Sequence, residues 1–200
     1  MKAPPPIRYA EMALAVPAEG PIDLRTLVPG EGPIEIEIGF GRGRFLLERA
    51  RAAPDSRVIG IEIKSKLAHW VEQRRAREGL TNAIALWGDA REALTRAIPD
   101  ACVTRAFVHF PDPWWKKRHT KRRVVDESFL DHVARLLVPG GELFVQTDVA
   151  DRAEQMRDAI VAQGSFTLLA RDDNPYGARS NREARADEDG LPVYRLHARR

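Results

Sequence analysis

Short apolar runs and apolar residues at helical spacing take turns along most of this chain. Five runs have the length of strands and lie at residues 34–38, 57–62, 82–87, 103–110 and 142–147. Between the runs, apolar residues recur every three or four positions, as they do at Phe129, Val133 and Leu136. Strands that alternate with helices in this way predict an α/β fold with a parallel, doubly wound sheet.

Two further strand-like runs, at residues 166–170 and 192–198, close the chain and are separated by a long polar loop. Because no helical pattern lies between them, they predict an antiparallel hairpin on one edge of a sheet of seven strands. Two helix starts are expected as well. Ser65 is predicted to cap the helix after the second run, and Asp148 the helix after the fifth.

The first 33 residues are rich in proline and glycine and contain no strand-like run. They are expected to form a partly irregular N-terminal arm, followed by a single domain over residues 34–200. A chain of 200 residues with 44% hydrophobic content is long enough for one full core and short for two.

The composition argues against a disulfide-bonded protein, a metal-binding protein and a membrane protein. Cys102 is the only cysteine, so no internal disulfide can form, and no group of cysteine and histidine has the spacing of metal ligands. No apolar stretch approaches the roughly 18 residues that a membrane-spanning helix needs. These features predict a cytoplasmic protein without a metal site or a membrane segment, and they leave both a monomer and a homodimer open.

Positive charge is concentrated in one segment directly after the fourth run. Residues 111–123 place Asp112 between two prolines, followed by two tryptophans and then by six cations: Lys116, Lys117, Arg118, Lys121, Arg122 and Arg123. Removing these six cations changes the formal net charge of the chain from +3 to −3. Clustered cations suit contacts with nucleic-acid phosphates, and a tryptophan can stack on an exposed base. We therefore expect a nucleic acid as the partner of this segment.

A glycine-rich turn follows the first run, with Glu37 ahead of Gly39, Gly41 and Gly43. Glycines let the backbone turn tightly and approach a ligand at the start of a helix. A dinucleotide site would need its third glycine three residues after Gly41, but that position is Arg44. The turn therefore disfavours a nicotinamide cofactor, and Glu37 suits a cation such as the amino group of methionine.

Acidic residues lie at or just after the ends of the next two runs. Glu62 lies where a carboxylate commonly accepts both ribose hydroxyls, and Asp89 is placed to meet the exocyclic amine of an adenine. Together with the glycine turn and a Pro-Gly-Gly before the fifth run, these acids resemble the class I S-adenosylmethionine-dependent methyltransferases, whose fold is Rossmann-like. The resemblance implies S-adenosylmethionine as the cofactor, bound by Glu37, Gly39, Gly41, Gly43, Glu62 and Asp89.

The segment after the fourth run makes the resemblance more specific. Its Pro-Asp-Pro-Trp-Trp-Lys-Lys-Arg-His-x-Lys-Arg-Arg closely resembles the bacterial tRNA (guanine-N7)-methyltransferase family, and the resemblance covers about residues 34–198. It implies methylation of N7 of the variable-loop guanosine of tRNA, at position 46 in tRNA numbering. It also implies that Asp112 is the catalytic residue, next to the cofactor, and that Lys116 and Asp148 contact the RNA substrate.

The motif before the last run departs from the family pattern. The family usually has a threonine, two residues and a glutamate there, whereas this chain has Ser180, Asn181, Arg182 and Glu183. Because serine keeps the hydroxyl, Ser180 and Glu183 are expected to bind the substrate or a cofactor amine. Asn181 and Arg182 replace the usual lysine and aromatic residue, so the resemblance supports no stacking role at these two positions.

Three other functions stay open at this point. The same fold serves methyltransferases of DNA, proteins and small molecules, and Pro-Asp-Pro-Trp is loosely like the Asp-Pro-Pro-Tyr of amino methyltransferases. A non-catalytic RNA-binding module would keep the basic segment without the chemistry. A nicotinamide oxidoreductase is the third alternative, and Arg44 disfavours it.

Overall fold

The computed structural model describes residues 8–111 and 125–200. In chain order, the elements are α1 (Tyr9–Met12), β1 (Ile22–Asp23), α2 (Leu24–Leu27), β2 (Ile34–Ile38), α3 (Arg44–Ala52), β3 (Arg57–Glu62), α4 (Ser65–Arg77), β4 (Ala83–Trp87), α5 (Ala90–Arg96), β5 (Ala97–Ile98), β6 (Val103–His109), α6 (Glu127–Leu136), β7 (Leu137–Thr147), α7 (Ala150–Gln163), β8 (Thr167–Leu168), α8 (Asn181–Glu188) and β9 (Tyr194–Arg199). None of the helices in these two ranges is both long and apolar enough to cross a bilayer.

Seven of these strands form one sheet, in the order β4-β3-β2-β6-β7-β9-β8, while β1 and β5 pair separately. The strands from β4 to β7 in this order are parallel, and β9 runs antiparallel to both of its neighbours. The predicted doubly wound sheet with an antiparallel C-terminal pair is therefore confirmed. Ligands of such sheets bind outside the carboxyl ends of the parallel strands, so the ends of β2, β3, β4 and β6 are where a site is expected.

The connection between the last two strands is more than a polar loop, because it contains helix α8. This helix begins after Ser180, which is its N-cap. Its apolar signal in the sequence is weak because the small residues Ala184 and Ala186, among charged neighbours, form most of its buried side. Strand β8 is also shorter than the predicted run at 166–170 and comprises only two residues.

Strand β7 begins five residues before the predicted run at 142–147, because α6 passes directly into it. Pro139, Gly140 and Gly141 therefore lie inside the strand and do not form a turn ahead of it. The pairing of β7 with β6 shifts register at this point, between Val103 and Arg105. The irregular start accommodates a proline that could not join a regular ladder.

The two predicted helix caps are wrong. Helix α4 has Lys64 at its N-cap, with no side-chain bond there, and Ser65 is already the first helical residue. Helix α7 has Val149 at its N-cap, again without a side-chain bond. The Asp148 carboxylate binds the guanidinium of Arg182 on α8, and this charged partner replaces the backbone N–H groups that a cap would bind.

Both faces of the sheet are covered, but by residues of different chemistry. Ile34, Ile36 and Ile38 of β2 belong to the main apolar core, which includes residues of α5, α6 and α7. Glu35 and Glu37 alternate with them and so lie on the opposite face, where they are 0% and 1% exposed. Alternation of isoleucine and glutamate normally marks a strand with one solvated face, but here the second face is buried too.

Part of the predicted N-terminal arm packs against the domain. Ile22, Leu24 and Val28 are buried in the same apolar core as β2. Strand β1 pairs in parallel with β5, which follows α5 directly. The boundary at residue 33 stays a prediction, while residues 22 to 28 contribute to the core.

Candidate active site

One cavity of about 770 Å³ opens at the carboxyl ends of the parallel strands. Six of the residues singled out from the sequence line it: Glu37, Gly39, Gly41, Glu62, Asp89 and Ser180. Four separate segments of the chain contribute these residues, so the fold collects them at the edge of the sheet where ligands of doubly wound folds bind. Gly43, Asp148 and Glu183 are near this region but are not among the residues that line the cavity.

The glycine turn between β2 and α3 has a backbone that only glycine adopts readily. Gly39, Gly41 and Gly43 have φ angles of +73°, +56° and +70°. A Cβ at Gly39 or Gly41 would meet no heavy atom within 4 Å, so the side facing away from the backbone is open. A ligand can therefore approach the main chain closely at these two residues.

Gly43 has a different reason to be glycine, and substitution there gives the first testable prediction. A Cβ at this position would lie 2.4 Å and 2.7 Å from the two Cγ atoms of Val71 on α4. We expect Gly43→Ala to lower the free energy of unfolding by about 2–5 kcal/mol, since left-handed strain of about 1–2 kcal/mol adds to overpacking of about 1–3 kcal/mol. Denaturant unfolding monitored by circular dichroism measures this loss.

Gly164→Ala is the matched control for that variant. Gly164 has a φ of +82°, and a Cβ there would meet nothing within 4 Å. Only the backbone strain of about 1–2 kcal/mol applies to it. Equal losses in the two variants would mean that the contact between α3 and α4 at Val71 does not constrain the glycine turn.

Glu62 ties the end of β3 to the glycine turn. Its Oε2 accepts a hydrogen bond from the Gly41 N–H at 2.9 Å, and its Oε1 accepts one from the Lys64 N–H at 2.9 Å. The side chain is 6% exposed and lines the cavity. Each carboxylate oxygen has a second lone pair, so Glu62 can still accept two hydroxyl donors from a ligand while it holds the turn.

Asp89 combines a structural role with its place at the cavity. It is the N-cap of α5, where its Oδ1 accepts a hydrogen bond from the Arg91 N–H at 2.9 Å. The residue remains exposed and lines the same cavity as Glu62. A capping aspartate fixed in this way presents its carboxylate to a ligand in one orientation.

Glu37 has a buried partner that the sequence analysis missed. The Nδ1 atom of His109, at the end of β6, lies 3.0 Å from the Glu37 Oε1, and both residues line the cavity. The second oxygen of Glu37, Oε2, is buried and has no hydrogen-bond partner within the described ranges. Strand alternation was the available signal, because it places the final residue of β6 on the same sheet face as Glu37.

Asp148 and Arg182 form an ion pair at the edge of the site. The Nε of Arg182 donates to the Oδ2 of Asp148 at 2.9 Å, and its Nη2 donates to the same oxygen. Arg182 lines the cavity next to Ser180 and Asn181. Arg182, which departs from the family motif, therefore contacts the acid that was predicted to bind RNA. The two residues are far apart in the sequence, and no pattern there indicates that they pair.

Glu183 is a buried connector between elements. It is 1% exposed, and its carboxylate accepts hydrogen bonds from Gln146 at 2.7 Å, Asn174 at 3.0 Å and Arg195 at 2.9 Å. The Ser180 hydroxyl accepts a bond from the Glu183 N–H at 3.1 Å and so caps α8. A substrate role for Ser180 and Glu183 stays a prediction, while their structural role is to join α8 to β7 and β9.

Glu35, another buried acid, connects α3 and the segment before α8 to the sheet. Glu35 accepts two bonds from Arg49, both at 2.7 Å, and one from Arg105 at 2.8 Å. Arg49 also donates to the Tyr176 carbonyl at 2.8 Å. The hydrogen bond with Glu35 raises the pKa of the Arg49 guanidinium, and burial raises the pKa of the Tyr176 hydroxyl. Both groups therefore keep their protons at physiological pH.

The rest of the predicted site lies outside the described residues. The structure does not describe Asp112. It also does not describe the six cations that were predicted to contact RNA: Lys116, Lys117, Arg118, Lys121, Arg122 and Arg123. Pro111, immediately before them, lines the cavity together with Phe110. Phe110 has a φ of +48°, a conformation that costs a bulky residue energy and that recurs at functional sites.

Comparison of the sequence with known proteins identifies the family to which the chain is related. A family model described as "Putative methyltransferase" matches residues 31–196. The tRNA (guanine-N(7)-)-methyltransferase of Nitrosococcus oceani is 37% identical over 183 residues, which cover 90% of this chain and 77% of the relative. The enzyme of the same name from Synechococcus sp. (strain JA-3-3Ab) is 37% identical over 163 residues, which cover 80% of this chain and 69% of the relative.

Solved structures agree on the fold. The aminoglycoside resistance methyltransferase NpmB1 has a TM-score of 0.57 and 26% identity, covering 84% of this chain and 86% of its own. The 16S rRNA methyltransferase KamB has a TM-score of 0.64 at 19% identity, covering 94% of this chain and 98% of its own, and supports the fold alone. By the match over most of its length and the identity to these relatives, this chain belongs to the tRNA (guanine-N7)-methyltransferase family.

Proposed function

We propose that this protein transfers the methyl group of S-adenosylmethionine to N7 of the variable-loop guanosine of tRNA, at position 46. Family membership supports the reaction and the substrate class. The observation that carries the proposal is the cavity of about 770 Å³, at which the glycine turn meets the acidic ends of β2 and β3. We further propose that the enzyme acts in the cytoplasm, as a monomer or a homodimer.

The residues around this cavity fit the cofactor. Gly39 and Gly41 leave open space over the main chain, and Glu62 keeps two lone pairs for ribose hydroxyls. Asp89 is exposed and offers its carboxylate to an adenine amine. Oε2 of Glu37 is buried and has no hydrogen-bond partner among the described residues, so it suits a cationic amine. S-adenosylmethionine, when bound, supplies a methyl group made electrophilic by its positive sulfur.

The chemistry of guanine N7 limits what the chain has to do. N7 carries a free lone pair and no proton, so neither a general base nor a metal is required for its attack. The task of the protein is to hold the base and the methyl donor in line, which is worth several orders of magnitude in rate. In this proposal Asp112 orients the N1–H and N2–H₂ edge of guanine and stabilises the positive charge that develops on the base.

Binding of tRNA is proposed to rest on two groups of residues. Lys116, Lys117, Arg118, Lys121, Arg122 and Arg123 would neutralise phosphates and fix the register of the RNA. Asp148 is paired with Arg182, which lines the cavity, and would contact the substrate next to it. Together with the role proposed for Asp112, this assignment divides the work: the affinity for tRNA depends on the basic segment, and turnover depends on Asp112.

Asp112→Ala tests that division. We expect methylation of tRNA to slow by about 100-fold or more, because an oriented charge in the reacting site is lost. The affinity for tRNA should change by less than about threefold, because the phosphates contribute most of the binding energy. Single-turnover methylation and filter binding measure the two quantities. Asp158→Ala, at an exposed position of α7, is the control that should change neither.

The proposal as a whole is tested with two tRNA transcripts that differ only at position 46, one with guanosine and one with adenosine. Incubation with the enzyme and methyl-labelled S-adenosylmethionine should label the guanosine transcript and leave the adenosine transcript unlabelled. Equal labelling of both would place the reaction elsewhere on the RNA. Labelling of DNA or protein in place of either transcript would favour the alternative methyltransferases.

A further inference from the structure

Lysine is uncommon in this chain, and two of the lysines lie at the start of α4. The sequence contains six lysines among its 32 lysines and arginines. Apart from Lys2 they form two groups, which are Lys64 and Lys66 at the start of α4 and Lys116, Lys117 and Lys121 in the basic segment. Most arginines of the described ranges bind a carboxylate, but neither Lys64 nor Lys66 makes an ion pair there. Internal ion pairing therefore does not account for these two charges.

Lys64 lies at the rim of the cavity together with Arg42. Arg42 belongs to the glycine turn after β2, Lys64 follows β3, and both residues are exposed and line the cavity. Strands β2 and β3 are parallel neighbours, about 4.8 Å apart, so the two cations follow adjacent strand ends. Glu62 binds main-chain N–H groups and makes no ion pair with the Lys64 ammonium, and Arg42 makes no ion pair within the described residues either. The rim therefore presents two cations that favour an anionic ligand.

Two aromatic rings hold Lys66 in place. Its Nζ atom lies 4.5 Å from the ring centroid of Trp70 and 5.6 Å from that of Tyr9, and the two rings contact each other edge to face. Rings at such distances attract an ammonium without accepting its hydrogen bonds in the plane of the ring. Lys66 is exposed and makes no hydrogen bond within the parts of the chain that the structure describes, so its three N–H donors remain available for oxygen. Because the rings restrict the side chain in advance, less conformational entropy is lost when a ligand binds.

We propose that Arg42, Lys64 and Lys66, which we call the rim cations, bind backbone phosphates of tRNA. The inference rests on the function proposed above and adds a second RNA-binding surface to the basic segment. A lysine ammonium is a common phosphate ligand, since it places a compact charge with three donors against the anionic oxygens. Phosphate contacts position a nucleic acid and raise its affinity without reading its sequence. The rim cations therefore strengthen the binding of tRNA whatever the nucleotide at position 46.

The size of the substrate explains why cations are needed on this side of the cavity. A tRNA is far larger than a cavity of about 770 Å³, so only the target nucleotide can enter it, and the flanking backbone has to cross the rim. The basic segment follows the end of β6, whereas the rim cations follow β2 and β3. These three strands are neighbours in the order β3-β2-β6, and the ends of all three contribute to the cavity. The two groups of cations can therefore bind the backbone on either side of one nucleotide.

Lys64→Gln combined with Lys66→Gln tests the proposal by the salt dependence of tRNA binding. In filter binding at about 0.1 M salt, we expect the double variant to bind tRNA about 10-fold or more weakly than the unmodified protein. The slope of log K against log salt concentration should become shallower by about 1.4–1.8, at about 0.7–0.9 for each phosphate contact that is lost. Arg42→Gln alone should change the slope by about 0.7–0.9. Transcripts with guanosine and with adenosine at position 46 should lose affinity by the same factor, and a loss confined to the guanosine transcript would overturn the proposal.

Arg77→Gln combined with Arg157→Gln is the control with the same change in net charge. Both arginines are exposed, neither lines the cavity, and neither makes an ion pair with a carboxylate within the described ranges. This variant should keep the affinity and the salt slope of the unmodified protein. Equal losses in the two double variants would show an effect of net charge alone and would overturn the proposal, and so would an unchanged slope in the lysine variant.

Trp70→Leu tests whether the rings position Lys66. Trp70 is 47% exposed, so the substitution leaves the apolar core intact. We expect the variant to weaken tRNA binding by about two- to fivefold when Lys66 is present and by less than about 1.5-fold in the Lys66→Gln background. The affinity for S-adenosylhomocysteine should not change, because neither residue lines the cavity. Equal losses of tRNA affinity in the two backgrounds would contradict the positioning role of Trp70.

A measurement on the unmodified protein keeps the proposal testable if the variants fail to fold. Acylation of lysines by an N-hydroxysuccinimide ester, followed by mass spectrometry, reports how accessible each ammonium is. At a tRNA concentration of about 10 times Kd, acylation of Lys64 and Lys66 should slow by about 10-fold, because only the unbound fraction of the protein reacts. Unchanged rates at both lysines, while tRNA binds, would refute the proposal. Failure of the unmodified protein to bind tRNA is a different result, because it would contradict the proposed function itself.

Discussion

Glu62→Ala is expected to weaken the binding of S-adenosylhomocysteine by about 100-fold or more. Two ribose hydroxyls would lose a charged acceptor, and hydrogen bonds to charged groups contribute about 1.5–3 kcal/mol each. The variant also leaves the N–H groups of Gly41 and Lys64 without the acceptor that each has at 2.9 Å. The loss therefore combines missing ligand contacts with a glycine turn that is no longer held to β3. Isothermal titration calorimetry measures the affinity directly.

Two further variants separate these contributions. Glu62→Gln keeps one carbonyl acceptor, so its affinity should lie between those of the unmodified protein and the alanine variant. Glu92→Ala removes a carboxylate that is 67% exposed on α5 and whose distance to Arg96 is 3.8 Å, and it should leave the affinity unchanged. If Glu62→Ala bound S-adenosylhomocysteine as tightly as the unmodified protein, the cofactor would have to bind somewhere other than this cavity.

Glu35→Ala is expected to lower the free energy of unfolding by about 3–5 kcal/mol, because it leaves a buried arginine charge without its carboxylate partner. Glu35 is fully buried and binds Arg49 through two bonds at 2.7 Å and Arg105 through one at 2.8 Å. The Arg49 side chain is itself only 11% exposed, so water cannot replace the lost carboxylate. Denaturant unfolding at constant pH gives the difference between the variant and the unmodified protein.

Glu78→Ala provides a control with the same kind of partners. Glu78 also pairs with two arginines, Arg51 and Arg74, but its side chain is 29% exposed at the end of α4. Exposed pairs of this kind contribute about 0–1 kcal/mol. If Glu35→Ala lowered the free energy of unfolding no more than Glu78→Ala does, burial of the Glu35 ion pairs would not be the reason for their contribution to stability.

The seven strands of the main sheet, their mostly parallel direction and the glycine turn could be predicted because each rests on a pattern of neighbouring residues. Alternating apolar runs and helical spacings indicate a doubly wound sheet, and positive φ angles at Gly39, Gly41 and Gly43 follow from a turn that only glycine fits. The collection of Glu37, Glu62 and Asp89 at one cavity follows from the rule that the carboxyl ends of parallel strands meet at one edge.

The polar layer on the second face of the sheet could not be predicted in the same way. Glu35 and Glu37 alternate with isoleucines, and this pattern normally indicates a solvated face. Their burial depends on Arg49 and His109, which are 14 and 72 positions away in the chain. The pair of Asp148 with Arg182 was missed for the same reason, since long-range partners leave no periodicity in the sequence. Helix α8 was missed because its buried side consists mostly of small residues among charged neighbours, which give little apolar periodicity.

The position of the transferred methyl group tests the central claim most directly. N7-methylguanosine becomes sensitive to borohydride reduction, after which aniline cleaves the RNA chain at that nucleotide. Unmodified tRNA treated with this protein and S-adenosylmethionine should be cleaved at the variable-loop guanosine, at position 46, and should stay intact there if either component is left out. Methylated tRNA that resists cleavage at that guanosine would show that another atom or another nucleotide is the acceptor and would contradict the proposed function.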